Sequence, residues 1–503
     1  PDLPRLTASI IIPEKDKMKV EVISSEFVEI ENVDIAPSKG NLTRDVNPAD
    51  VPYTYSKVYD MDAFYPSMQA QLSKPYIARD FRGQAVHVYP FQYNPVSKTL
   101  RIYQNMVVKV SSTGQTGENI KTIATQKLNK EFHHVYAEHF LNYENDRYTP
   151  LEETGNMLII SDGDFMEAMQ PFVEWKIQKG IPTEMVDVAE IGTSASAIAD
   201  YVADYYTNNG LTFLLLIGDS DQIPTNSGGS LAGDSDNAYG YLEGSDHYQE
   251  IFVGRFSAEN VSEVETQVLR TLNYEKYPMA GETWYESYAS VGSSQGPGDD
   301  NEYDYEHLRN IQDDLLAFTY TDGFELFDGS QGEDDAGGNP TPGMVADAIE
   351  EGESIINYTG HGSSTSWGSS GFSNSDINSL ENANMLPFIW SVACVNGNFD
   401  GTTCFAEAWL RATDSEGQPT GAIATMMSTI NQSWDPPMEG QDAMNDILVE
   451  SFEDNIKRTF AGISINGCFQ MNDTYGSNGD AMTDTWTLFG DPSVMYVLLH
   501  QQN

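Results

Sequence analysis

Basic residues are scarce in this 503-residue chain, and sulfur and imidazole are scarcer: 26 lysines and arginines stand against 76 acids, with 8 histidines and 3 cysteines. Cys394, Cys404 and Cys468 cannot build a disulfide framework, and their odd number leaves at least one thiol free. The shortage of cations gives a net charge of −50, a field that repels nucleic acid and anionic membranes and attracts cations and basic peptides. Solubility is the plainer reason for most of that surface charge. No apolar run reaches the roughly 18 residues of a membrane span. The opening PDLPRLTASI also lacks the basic and apolar segments of an export signal. What is present suffices for a packed interior, because 40% hydrophobic and 11% aromatic residues place the chain among folded proteins. Its length calls for two or three domains.

Residues 1 to about 115 alternate apolar and polar at period two in KMKVEVISSEFVEI, AVHVYPFQY and TLRIYQNMVVKVSS, which predicts a β-rich domain. A polar helical connector, about 117–145, follows. From Asn156 the pattern becomes short apolar runs (NMLIIS, TFLLLIGD, IFVGRF, SYASVGSS, SIINYTGHG, LPFIWSVAC, GAIATMMS) separated by amphipathic stretches. Helices are expected at 194–208, 260–276, 303–318 and 404–412. Apolar strands alternating with helices predict an α/β domain with a mainly parallel sheet covered on both faces. Its sites should lie beyond the strands' carboxyl ends.

Two scarce residues fall at such ends. His361 follows SIINYT between two glycines, and Cys394 closes LPFIWSVAC. A free thiol beside an imidazole suits nucleophilic catalysis, since the thiolate attacks a carbonyl and the histidine can protonate the leaving amine. The amides of Gly362 and Cys394 could face a developing oxyanion. A buried cysteine at a strand end is more often a small core residue, and Cys404 and Cys468 read as that inert kind.

The segments NYTGHGSSTSWG, PFIWSVACVNGNF, CFAEAWLRA, STINQSW, MNDTYG and DTWTLFGDPS, with YGYLEGSDHYQEIFVGRFS and NIKRTFAG, resemble the gingipain family of cysteine peptidases, the arginine-specific members most closely. The likeness runs from Tyr148 to about Val497. It implies a caspase-like catalytic domain in two side-by-side halves, 148–290 and 291–503, with Cys394 as nucleophile and His361 as acid/base. The sequence stops before the immunoglobulin-like domain that follows in the family. Where arginine-specific members carry an orienting glutamate, this chain reads VGSSQGPG and offers Gln295. A neutral amide can accept from the imidazole but cannot stabilise imidazolium by charge. Asp299 and Asp300 are alternative sources of that charge.

The same resemblance makes Asp304 of NEYDYEH the pocket carboxylate that selects a basic side chain, ahead of its plainer role as a first-turn helix acid. It puts Thr359, Gln432, Trp434 and Met438 around that pocket, where Trp434 could stack on a guanidinium. Asp435 is an unassigned extra acid that keeps lysine specificity, or a dual one, as an alternative. Residues 1–147 resemble an inhibitory pro-domain, with activating cleavage between Arg147 and Tyr148 and with Arg82, or less favourably Arg79, as the blocking side chain. A structural calcium is implied, with Asp219, the Glu243 carbonyl, Asp246, the Tyr248 carbonyl and Glu250 as hard oxygen ligands; His247 is expected only to pack. The expected function is a secreted bacterial arginine-directed cysteine endopeptidase made as a latent precursor. Its partners would be peptide substrates and its own pro-domain. The alternatives are a catalytically silent binder of basic peptides and a protein that cuts only itself.

Overall fold

The computed structural model describes residues 1–123, 130–143, 155–227, 233–279, 281–451 and 459–497. Residues 1–123 and 130–143 form the predicted β-rich region. Phe81–Val88 pairs antiparallel with Leu6–Ile11, Ala70–Leu72 and Tyr76–Ala78. A second sheet pairs the long strands Asp16–Glu31 and Thr99–Thr116, with Phe91–Asn94 added at the edge. One helix, Lys130–His139, lays Phe132, Val135 and Tyr136 into the interior.

The remaining described residues build a ten-stranded sheet and two short pairs, Asn226–Ser227 with Asp234–Ser235 and Gly362–Ser363 with Ser366–Trp367. The order of the large sheet is Asp322–Phe327, Ser287–Gly292, Ile355–Thr359, Phe388–Val392, Ala424–Ser428, Trp486–Phe489, Phe252–Phe256, Phe213–Ile217, Met157–Ser161 and Thr183–Asp187. All neighbours run parallel except Ala424–Ser428 against Trp486–Phe489. All seven apolar runs named from the sequence are strands of this sheet, and Met157–Ser161, Phe213–Ile217, Ile355–Thr359 and Phe388–Val392 are buried at every position. Such strands read as continuous hydrophobic runs because helices cover both faces.

The helices match the amphipathic stretches: Ala195–Asn209, Val261–Lys276, Asp304–Phe318 and Phe405–Arg411. Ser194 and Asn260 cap the first two, their side chains accepting from Ala197 N and Glu263 N, which satisfies donors that a first turn leaves open. The expected boundary between halves needs correcting, because 290/291 cuts through the strand Ser287–Gly292. The halves are not separable sheets: Trp486–Phe489, near the end of the chain, inserts between them and pairs with a strand of each. That late strand was not read from the sequence, nor were Thr183–Asp187 and Asp322–Phe327.

Candidate active site

The strands ending at Thr359 and Val392 are direct neighbours, with these two residues in register. His361 and Cys394 therefore leave adjacent strands at the same carboxyl edge, two residues past each end. Gly360 N donates to Val392 O at 3.1 Å, tying the two exits together. A Cβ on Gly362 would lie 2.6 Å from the Cys394 carbonyl oxygen and 2.9 Å from Ala393 Cβ, so only glycine permits this approach. The His361 carbonyl accepts from Tyr358 OH at 2.5 Å and Gly368 N at 2.7 Å, which fixes the backbone that carries the ring.

The imidazole Nε2 lies 3.1 Å from Gln295 Oε1. Since that oxygen only accepts, Nε2 holds the proton and Nδ1 is left with its lone pair. Asp299 does not take the orienting role: it accepts from Tyr475 OH, and burial together with Glu439 pushes it up to about 7. Asp300 is exposed and has no contact with the imidazole among the described residues. Among the described residues no hydrogen bond joins the imidazole to the Cys394 sulfur. Burial lowers the His361 pKa, helped by the Arg44 cation and opposed by Asp304 and Asp45. Burial also raises the Cys394 thiol, partly offset by the Gln432 backbone N–H and Arg44. Both shifts disfavour a thiolate–imidazolium pair in this arrangement.

Beside it lies a fully buried carboxylate with a cation on it. Asp304 opens the helix Asp304–Phe318, accepts from Ser293 Oγ at 2.5 Å, and receives Arg44 Nη1 at 3.1 Å on Oδ1 and 3.2 Å on Oδ2. The Arg44 guanidinium stands 4.7 Å over the Trp434 ring. The chain around it docks as a strand: Arg44 N donates to Gln432 O at 3.1 Å, and Trp434 N donates to Leu42 O at 2.9 Å. Trp434 Nε1 also holds Val46 O at 2.9 Å, and Val46 N turns back to Thr43 O at 2.9 Å.

The pro-domain arginine on Asp304 is thus Arg44, which nothing in the sequence pattern marked. Arg82 is corrected: it sits in the strand Phe81–Val88 and spends its guanidinium on the carbonyls of Pro13, Asp16, Glu118 and Asn119 inside the pro-domain. Arg79 also lies elsewhere, donating to Glu250 O at 3.0 Å.

Of the other pocket residues, Trp434 and Gln432 flank Arg44 as described, and the Gln432 side-chain amide is buried without a partner among the described residues. Met438 is buried in the first turn of Asp435–Leu448, so close to Gly298 that a Cβ there would lie 2.4 Å from its sulfur. Thr359 departs from expectation: its hydroxyl donates to Gln441 Oε1 at 2.6 Å, and among the described residues it makes no hydrogen bond with the pocket cation. Asp435 is pushed up to about 6, first by burial and then by Asp299, with Arg44 opposing. Ser293, which braces Asp304, was also missed; only its place at the end of SYASVGSS could have suggested it.

The profile of peptidase family C25 matches residues 150–497, and that of the C25 propeptide matches residues 1–149. The chain belongs to peptidase family C25. It is 44% identical to Gingipain R2 of Porphyromonas gingivalis strain W83 over 504 residues, covering 98% of this chain and 67% of that protein. It is 43% identical to Gingipain R1 of the same species over 98% of this chain and 49% of that one. The crystal structure of the Arg-specific cysteine proteinase gingipain R superposes with a TM-score of 0.65 at 41% identity, covering 69% of this chain and 80% of that one. The complex of the P. gingivalis RgpB pro- and mature domains gives 0.64, also at 41%, over 68% and 80%. Membership makes this C25 chain a cysteine peptidase carrying its propeptide.

Of the five calcium ligands implied by resemblance, Asp219 follows Phe213–Ile217 and the other four lie between residues 243 and 250. Asp219, at the end of Phe213–Ile217, pairs with Arg411 at 3.3 Å. Glu243, Asp246 and Glu250 share one turn beside the pro-domain, and Tyr248, buried there, gives its hydroxyl to Asp473 at 2.5 Å. His247 pairs with Asp484 at 2.6 Å, a packing role. Among the described residues no three acidic, histidine or cysteine side chains converge as a metal would require. Yet Glu250 Oε1 is fully buried with no hydrogen-bond partner among them, the kind of orphan that a hard cation would satisfy. The turn fits a cation in its chemistry. Arg147 and Tyr148 lie outside the described residues.

Proposed function

We propose that this C25 peptidase is an arginine-directed endopeptidase held latent by residues 1–147, and that activation requires cleavage after Arg147. The observation that carries this reading is Arg44, presented as a strand to Gln432–Trp434 with its guanidinium on Asp304. A substrate arginine would take the same place once the pro-domain leaves. Its carbonyl carbon would then come to Cys394, and the imidazole would accept the thiol proton as sulfur attacks. The amides of Gly362 and Cys394 would receive the oxyanion, and the histidine would return the proton to the departing amine before water releases the acyl group. The stacked, planar cation supports arginine over lysine, whose ammonium cannot use the Trp434 face as well. No helix among the described residues is long and apolar enough to cross a membrane. An extracellular or bacterial cell-surface location is proposed with this activity.

The test is the full chain with and without Arg44→Ala, assayed on an arginyl amide. Removing one partner of a buried ion pair costs about 3–5 kcal/mol, so latency should fall by roughly 10²–10³-fold in the variant. Unchanged latency would reject Arg44 as the block. An arginyl chloromethyl ketone that failed to label Cys394 in the Arg44→Ala chain would favour a silent binder of basic peptides.

A further inference from the structure

Beneath the active site, one side-chain amide joins three elements that each carry a part of it. Asp304 opens the helix Asp304–Phe318, the strand Ile355–Thr359 leads to His361, and the helix Asp435–Leu448 follows Trp434 and brings Met438. Gln441 of that last helix is fully buried against the other two. Its Oε1 accepts from Thr359 Oγ1 at 2.6 Å and lies 3.0 Å from Nε2 of His307, one helical turn beyond Asp304.

The sense of this amide is set by its neighbours. Asn445 Nδ2 faces the Gln441 carbonyl at 2.9 Å, so Asn445 Oδ1 takes Asn357 Nδ2 at 3.0 Å, and Asn357 Oδ1 takes Gln441 Nε2 at 3.0 Å. Gln441 Oε1 is left to accept, and His307 must donate from Nε2. The other ring nitrogen stands 3.3 Å from Asp442 Oδ1 and 3.9 Å from Glu302 Oε2, outside hydrogen-bond geometry but close enough to feel both charges. Burial opposes charge on this ring, yet Asp442, Gln441 and Glu302 raise it to about 9. At neutral pH the bond to Gln441 is therefore charge-assisted.

We propose that Gln441 is a positioning residue of the peptidase, its amide oxygen fixing the span between the carboxylate that holds the substrate arginine and the His361–Cys394 dyad. It touches neither substrate nor the reacting atoms. Thr359, in register with Val392 on the strand that leads to Cys394, is the arm toward the dyad, and His307 is the arm toward Asp304. With the guanidinium anchored on Asp304, a change in this span carries the scissile carbonyl off the sulfur, and a displacement of about 1 Å can cost about 10²-fold in rate. The inference rests on the arginine-directed reading above.

The experiment uses the full chain carrying Arg44→Ala, which opens the pocket, with Gln441→Met or Gln441→Glu added. Glutamate keeps the oxygen that both arms share; methionine keeps the volume and loses that oxygen. Alkylation of Cys394 is timed with an arginyl chloromethyl ketone, which must bridge Asp304 and the sulfur, and with iodoacetamide, which needs the dyad alone. The arginyl rate should fall at least about tenfold in Gln441→Met and stay within about threefold of the parent in Gln441→Glu, with the iodoacetamide rate unchanged in both. On an arginyl amide, kcat should follow the arginyl rate while KM stays nearly constant. An unchanged arginyl rate in Gln441→Met, equal slowing of the two reagents, or equal loss in the two variants overturns the proposal. A parent that the arginyl reagent fails to label sinks the arginine-directed reading itself, and this inference with it. If circular dichroism shows either variant unfolded, Thr359→Val takes its place: slowing of the arginyl reagent alone supports the proposal, and any other pattern overturns it.

Discussion

Two of the pro-domain's contacts with the catalytic domain differ in kind. At the active site one side chain, Arg44, enters a prepared pocket, and the backbone around it copies a substrate strand. At the 242–250 turn four donors from two short segments, Ile77 with Arg79 and Asn119 with Lys121, spread over three acidic residues. The first contact draws its strength from machinery that must exist anyway for catalysis, so it is specific but exposed to competition by any arginyl peptide. The second uses surface that catalysis does not need, so substrate cannot displace it. Latency resting on both is harder to breach than latency resting on either.

Asp304→Ala should have the largest effect, and on the active-site contact alone. It should cut kcat/KM for arginyl amides by about 10²–10³-fold and weaken the added pro-domain by a similar factor, since both read the same carboxylate. A loss in only one of the two assays would separate inhibitor from substrate recognition.

Arg82→Ala should act next, and on the pro-domain alone. Four backbone carbonyls would lose their donor, at about 1–3 kcal/mol for the polar groups left buried. The pro-domain's melting temperature should therefore drop, whereas Arg44→Ala should leave it unchanged. If the two arginine variants melted alike, the division of labour between these arginines would be wrong.

Gln295→Ala should matter least. It removes a neutral orienting contact, so kcat should fall about tenfold with KM nearly constant. A much larger loss would mean that Gln295 does more than hold the imidazole.

How much of this was legible depended on periodicity. His361 and Cys394 could be placed because each follows an apolar run long enough to be a buried strand, and parallel sheets put chemistry at such ends. Arg44 could not, because PSKGNLTRDVNPAD has no apolar rhythm and its meaning arises from a contact with Asp304, 260 positions away. Arg82 misled for the opposite reason. YIARDFRGQ looks like a basic loop, yet the segment is a tight hairpin between Tyr76–Ala78 and Phe81–Val88, which turns the arginine inward. Asp219 was grouped with the turn acids by resemblance alone, and in a chain with 76 acids neither charge nor spacing adds to that. Its pairing with Arg411 depends on a helix far along the chain.

The bend in which Val46 N returns to Thr43 O has a consequence for durability. A polypeptide about to be cut lies stretched across the nucleophile, so that the leaving half can depart. Here the residues just past the bait arginine curl back and are clasped by the Trp434 indole. Scission there would first have to uncoil the hook, which lets the bait outlast the many ordinary peptides that resemble it.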